Sequence, residues 1–171
     1  AVGDALGAPF EFGPDGQYSE TFPTPLLTGF GEMTGGGAFQ WAPGEFTDDT
    51  QMALALAQSL IACGGFDADD VWARFVAWRR KAKDCGILTG RVLSRRDWPG
   101  AAYDGHVALN RSAANGALMR VTPIALAWSG VDEATLMTVA RAQAALTHFD
   151  AAAGWGAAIG AALIRRAVLG E

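Results

Sequence analysis

Cysteine is scarce in this chain. Cys63 and Cys85 are the two in 171 residues, too far apart in sequence to form a local metal-binding pair. Two cysteines do not make a disulfide scaffold, so a reducing, cytoplasmic setting is the expectation. Positive charge is short as well: 13 Lys and Arg stand against 18 Asp and Glu, for a net charge of -5. A nucleic-acid binder normally carries a basic face, so no nucleic-acid partner is expected. An acidic chain can still take a phosphorylated ligand where a metal ion or local N–H groups offset the charge. No long uncharged apolar run is present. The longest, from Ala151 to Ile164, is rich in glycine and too short to span a bilayer, so it reads as a buried helix and no membrane partner is expected. There is no basic n-region, hence no sign of a signal peptide. Strand-like alternation and internal repeats are also missing.

What is there is helical. Half of the residues are hydrophobic and 18% are charged, enough apolar material for one packed domain over 1–171 and too little charge for a disordered chain. Val2 to Phe12 predicts a first helix that Pro9 ends. Residues 13–46, dense in glycine and proline, read as a long and therefore functional loop. Asp49 to Cys63 predicts a helix with Met52, Leu56, Leu60 and Cys63 on its apolar face, stopped by Gly64-Gly65. Asp67 caps the next helix, which turns Val71, Phe75, Trp78 and Ala82 to the core. Gly86 to Arg96 reads as a shorter helix and 97–110 as a polar link. Ala113 to Trp128 is helical in pattern, bent or divided at Pro123. Asp132 caps a helix through Leu146, and Asp150 starts the last one, where Gly154, Gly156 and Gly160 allow close contact. Trp72, Trp78 and Trp155 read as core. Arg120, inside an apolar segment, calls for a buried carboxylate partner, with Asp4 as one candidate. The fold class is all-α, a multi-helix bundle.

The chemistry concentrates at Gly44-Glu45-Phe46-Thr47-Asp48-Asp49-Thr50-Gln51-Met52, where a Gly-rich loop meets a helix. Thr47, Asp48 and Asp49 are three hard oxygen donors at a helix start, which suit Mg2+ or Mn2+ and no soft metal. The same residue types are ordinary N-cap and first-turn residues, and taken alone this stretch favours capping without metal. Four further segments change the balance. They are Gly3-Asp4-Ala5-Leu6-Gly7-Ala8-Pro9-Phe10-Glu11, then Asp84-Cys85-Gly86-Ile87-Leu88-Thr89-Gly90-Arg91, then Asn115 through Leu126, and finally Thr147-His148 with Asp150. Together and in this order, the five segments resemble the ADP-ribosylglycohydrolase family, along nearly the whole chain.

The resemblance implies an all-helical fold of the ADP-ribosylglycohydrolase type with a centre of two Mg2+ or Mn2+ ions. It implies hydrolysis of the glycosidic bond between the C1″ ribose carbon of ADP-ribose and an acceptor, often an arginine side chain. The partner is then an ADP-ribosylated protein or a small molecule containing ADP-ribose, and the protein is expected to act as a monomer. By position, Thr47, Asp48 and Asp49 match the family's first metal ligands, and Glu11 and Asp84 match acids on the substrate side. Ser112, Asn115 and Gly116 match a loop near ribose and phosphates, and His148 reads as a ligand-lining residue. One departure stands out: the family's second acidic motif, Asp-x-Asp-Thr, does not occur in these 171 residues. The expectation is therefore a chain truncated at both ends and lacking its C-terminal part, or a non-catalytic member. Such a member would bind ADP-ribose or serve structurally, as crystallin relatives do.

Overall fold

Three aspartates open three helices, and each does so by the same bond. In the computed structural model, which describes residues 1–24 and 32–171, Asp67 accepts a hydrogen bond from Asp70 N at 2.9 Å and opens helix α4, Ala68–Arg79. Asp132 accepts from Thr135 N and opens α8, Glu133–Ala145, and Asp150 accepts from Ala152 N and opens α9, Ala151–Leu169. Each carboxylate satisfies an N–H that the first helical turn leaves without a partner. The other helices, in chain order, are α1 (Val2–Gly7), α2 (Gln17–Thr21), α3 (Asp48–Cys63), α5 (Ile87–Val92), α6 (Ala101–Leu109) and α7 (Thr122–Ala127). Among the described residues there is no strand, only an antiparallel bridge between Gly36 and Trp41. The expected all-α class holds.

The chain forms two compact units, Ala1–Gln51 and Met52–Glu171. In the first, a 3₁₀ turn at Ala8–Phe10 follows α1, with Pro9 at its start. Phe10 packs edge-on against Tyr18 and Phe22 of the α2 region, and the Tyr18 hydroxyl donates to Glu32 Oε2 at 3.1 Å. Phe39 links Phe12 to Trp41. The Gly-rich loop must be glycine at two places. Gly35 and Gly37 both sit at φ +69°, and a Cβ on Gly37 would lie 2.5 Å from Pro9 O, one on Gly35 2.4 Å from Trp41 O. The reading of residues 13–46 as one loop needs a correction, because α2 forms inside it. The five residues of α2 are too few to show a helical period. Part of that stretch, residues 25–31, lies outside the described residues.

The second unit holds the main core. Met52, Leu56 and Leu60 of α3 meet Val71, Trp72 and Phe75 of α4 within one buried cluster. Leu136, Ala140 and Ala144 of α8 and Ala157, Ala158 and Ala161 of α9 are fully buried where the two helices run together, with Ile124 and Ala125 of α7 against them. Alanine on the facing sides lets helix backbones approach closely. Gly160 does the same, since a Cβ there would lie 2.4 Å from Leu118 Cδ1, whereas nothing crowds Gly156.

Several expectations shift. The link at 97–110 contains α6, bracketed by Gly100 (φ +78°) and Asn110 (φ +52°), with Ala101, Ala102 and Gly105 buried. Its exposed Tyr103 and Asp104 masked the apolar face in the sequence. The 113–128 segment divides, as Pro123 required, into a 3₁₀ turn at Asn115–Ala117 and α7. Pro123 lies in the first turn of α7, where no N–H is needed. Cys63 is exposed rather than on the buried face of α3. Trp155 is 47% exposed, with the Arg141 guanidinium 4.4 Å from its ring centroid, so it is not core. The last helix outruns its apolar stretch: it continues through Arg165 and Arg166 to Leu169. By length and composition alone it is long and apolar enough to cross a membrane.

Candidate functional site

The start of α3 is organised by a residue 43 positions upstream of Thr47. Asp4, on α1, accepts from Thr47 N at 3.1 and 3.2 Å through its two oxygens and from Thr50 N at 3.2 Å. Thr50 N is the donor that a capping side chain at Thr47 would normally take. Asp4 takes it, while Thr47 Oγ1 accepts from Asp49 N at 3.3 Å, a second cap bond, and lies 3.4 Å from Asp49 Oδ2. Thr47 and Asp48 are buried, Asp49 half-buried. Burial works against ionisation of Asp4. The bonds from Thr50 and Thr47 outweigh it and hold the carboxyl below its ordinary value. The partial positive charge at the start of this 16-residue helix favours the same ionised state.

Asp4 was placed by sequence only as a candidate partner of Arg120, and that placement is corrected here: its carboxylate serves the α3 start. Nothing local in the sequence announces a cap supplied from another helix. Replacing Asp4 by Asn is expected to cost about 1 kcal/mol, and by Ala about 2, as cap losses do. Thermal unfolding measures both. Since the folded-state pKa is depressed, the Asp4 contribution is present above about pH 4 and is lost as the pH falls through the folded value. The gap between the protein and its Asp4→Asn variant should therefore close in acid.

Thr47, Asp48 and Asp49 are the donors this stretch offers to a cation. All are hard oxygens, so the chemistry fits Mg2+ or Mn2+. Among the described residues no three His, Cys, Asp or Glu side chains gather as a metal-binding group. Glu11 is exposed at the end of the first 3₁₀ turn.

In the second unit the expected residues fall into three places. Gly116 and His148 come together, with Thr89 beside them. A Cβ on Gly116 would lie 3.0 Å from both His148 Cε1 and Thr89 Oγ1. Ser112 is buried and hydrogen-bonded to His106 Nδ1, whose ring rests on Phe149. Asn115 is exposed, and its carbonyl accepts from Leu118 N and Met119 N, closing the 3₁₀ turn that presents Gly116. Asp84 stands apart from that turn in sequence, half-buried. Burial pushes its carboxyl above the ordinary range, with the Cys85 N–H partly offsetting the shift.

Behind His148 lies a polar network that the sequence reading did not find. Arg120 is fully buried, yet among the described residues it has no carboxylate partner. Its Nε donates to Gln143 Oε1 at 2.9 Å. Its Nη2 donates to Gln143 O at 3.1 Å and to Thr147 Oγ1 at 2.8 Å. Its guanidinium also lies 4.5 Å from the Phe75 ring centroid. Gln143 Nε2 in turn donates to Ala117 O. Burial pushes Arg120 down to about 9, still above neutrality, so it is a cation held by neutral acceptors and a π face. The signal available in sequence was a glutamine at a core register of α8, Gln143, facing a lone arginine in an apolar segment.

Known proteins share this sequence and fold. The family model for ADP-ribosylglycohydrolase matches residues 1–171. The ADP-ribosyl-dinitrogen reductase glycohydrolase of Rhodospirillum rubrum is 38% identical over 149 residues, 86% of this chain and 48% of its own length. The ADP-ribosylarginine hydrolase Tri1 of Serratia proteamaculans (strain 568) is 33% identical over 134 residues, 74% of this chain and 34% of its own length. A solved ADP-ribosylglycohydrolase-related protein complex superposes with a TM-score of 0.72 at 35% identity, over 98% of this chain and 53% of its own. This chain thus spans about half the length, or less, of the relatives it matches. It belongs to the ADP-ribosylglycohydrolase family.

Proposed function

We propose that this chain carries active-site residues of a hydrolase that cleaves the bond between ribose C1″ of ADP-ribose and an acceptor nitrogen or oxygen, an arginine side chain among them. The observation that carries it is the α3 start, where Asp4 takes the Thr47 and Thr50 N–H groups and Thr47 Oγ1 lies 3.4 Å from Asp49 Oδ2, with the buried Asp48 between them in sequence. The names of two relatives, an ADP-ribosyl-dinitrogen reductase glycohydrolase and an ADP-ribosylarginine hydrolase, support the substrate class.

Thr47 Oγ1 and the Asp48 and Asp49 carboxylates would hold Mg2+ or Mn2+. A bound divalent ion supplies Lewis-acid polarisation and a more acidic coordinated water. The remaining roles fall to the chain. Glu11, exposed at the end of the first 3₁₀ turn, orients the attacking water and takes its proton. Asp84, with its raised pKa, keeps a proton longer than an ordinary aspartic acid and gives it to the leaving group. Oxygen adds to C1″, the C1″–acceptor bond breaks, and the proton ends on the acceptor. His148 and Gly116 contact the ADP-ribose.

The test is release of ADP-ribose from ADP-ribosyl-arginine by the purified protein, before and after chelation. Hydrolysis is expected to stop in EDTA and return with Mg2+ or Mn2+. Turnover unchanged in EDTA would remove the metal. A second reading, a member that binds ADP-ribose without cleaving it, is favoured by the sequence: residues 1–171 hold no Asp-x-Asp-Thr. Binding of ADP-ribose with no turnover under any metal would establish it.

A further inference from the structure

His148 is 2% exposed, and its two ring nitrogens have unlike surroundings. Nδ1 lies 2.8 Å from Thr147 Oγ1, whereas Nε2 is buried and has no hydrogen-bond partner among the described residues. The Thr147 hydroxyl has one proton to give. Arg120 Nη2, which can only donate, already occupies a lone pair of that oxygen at 2.8 Å. The remaining neighbour able to accept the hydroxyl proton is His148 Nδ1. Were Nδ1 itself protonated and donating to Thr147, the hydroxyl proton would be stranded in a fully buried position and Nε2 would carry a bare lone pair. A doubly protonated ring is opposed by burial and by the Arg120 charge, which together push His148 down to about 3.

We propose that Arg120, acting through the Thr147 hydroxyl, locks His148 as the Nε2–H tautomer, so that the ring presents one N–H donor to a ligand oxygen beside Gly116 and Thr89. Arg120 and Thr147 are positioning residues; His148 touches the ligand. The surroundings of Nε2 fit that use. Thr89 is buried, and its Oγ1 and the Nε2 edge of His148 both close on Gly116, where a Cβ would lie 3.0 Å from Thr89 Oγ1 and 3.2 Å from His148 Nε2, so only glycine lets the hydroxyl and the ring edge share this spot. An N–H donor paired with a hydroxyl suits an oxygen acceptor, a sugar hydroxyl or a phosphate oxygen, and repels a cation. The assignment of that oxygen to ADP-ribose rests on the function proposed above; the tautomer does not.

The experiment is 15N NMR of the imidazole rings in the labelled protein. His106 and His148 are the two histidines, and His106→Gln assigns them. His148 is expected to be neutral at pH 5–8, with the proton on Nε2 and an accepting Nδ1. An Nδ1–H ring, or an imidazolium, overturns the proposal, and that spectrum needs no variant. Thr147→Val should move the Nδ1 resonance and weaken ADP-ribose binding about tenfold, the value of one buried hydrogen bond; Thr147→Ser should preserve both. A Thr147→Val spectrum identical to that of the unaltered protein overturns the relay. ADP is the second probe. Perturbation of Nε2 by ADP-ribose alone assigns the distal ribose, and by both assigns a phosphate; either supports the donor. If ADP-ribose does not bind the unaltered protein at all, the proposed function fails while the tautomer result stands.

Discussion

Arg120→Ala is expected to lower stability by about 3–5 kcal/mol, the range for a substitution that opens a cavity and strands buried polar groups. For a chain of this size that is a fall of roughly 6–20 °C in Tm. The reason is the company the guanidinium keeps. One planar fork satisfies Gln143 Oε1 and Thr147 Oγ1, adds a bond to Gln143 O, and lies against Phe75. Arg120→Lys should rescue little, because a single ammonium cannot reach acceptors spread over the fork. Arg120→Met restores volume and separates the cavity from the polar loss. It leaves Gln143 Oε1 and Thr147 Oγ1 buried without a donor, so it too should be destabilised, though less than Ala. Adding Gln143→Leu removes one stranded acceptor. The double variant should then lose less than the sum of the two singles, with a coupling of about 0.5–3 kcal/mol. Calorimetry of the four proteins decides the matter. An Arg120→Met variant as stable as the original would mean that the buried cation costs as much as its hydrogen bonds return.

Arg120 also shows where sequence reasoning stopped. Helix starts were legible because Asp67, Asp132 and Asp150 act on N–H groups two or three residues ahead, and a cap is local information. Metal-type donors were legible for the same reason: Thr47, Asp48 and Asp49 are adjacent in sequence. Gly116 and His148 were singled out through the resemblance, and the structure brings them together. Partners remote in sequence were not legible. An arginine in an apolar segment suggested a carboxylate, because charge pairs with charge, and Asp4 was the nearest guess. The chain instead surrounds Arg120 with an amide, a hydroxyl and a ring, from residues up to 45 positions away (120 to 75). It uses Asp4 to cap a helix from 46 positions off. Both choices depend on tertiary placement, and neither leaves a periodic trace. Helix α6 was missed for a different reason: a nine-residue helix with exposed Tyr103, Asp104 and Val107 offers too short an apolar face to outweigh its bracketing Gly100 and Asn110.

On the proposed function, Asp48→Asn should abolish Mg2+ binding and cut kcat/KM for ADP-ribosyl-arginine by at least about a hundredfold, since it would remove one of the proposed metal ligands. The variant separates cation holding from capping through stability as well as activity. Asp4, Asp48 and Asp49 put three acidic side chains around one helix turn. The helix dipole favours such charges by about 0.3–1 kcal/mol each, but like charges within a few ångströms oppose one another. If Asp48 serves the helix alone, Asn should lower Tm and Mg2+ should change nothing. If Asp48 holds a cation, the variant loses the stability that the bound ion lends. Added Mg2+ should then raise Tm of the original by mass action and leave the variant where it was. Scanning calorimetry in EDTA and in Mg2+ reads both halves. A variant that still gains stability from Mg2+ would move the cation away from the start of α3.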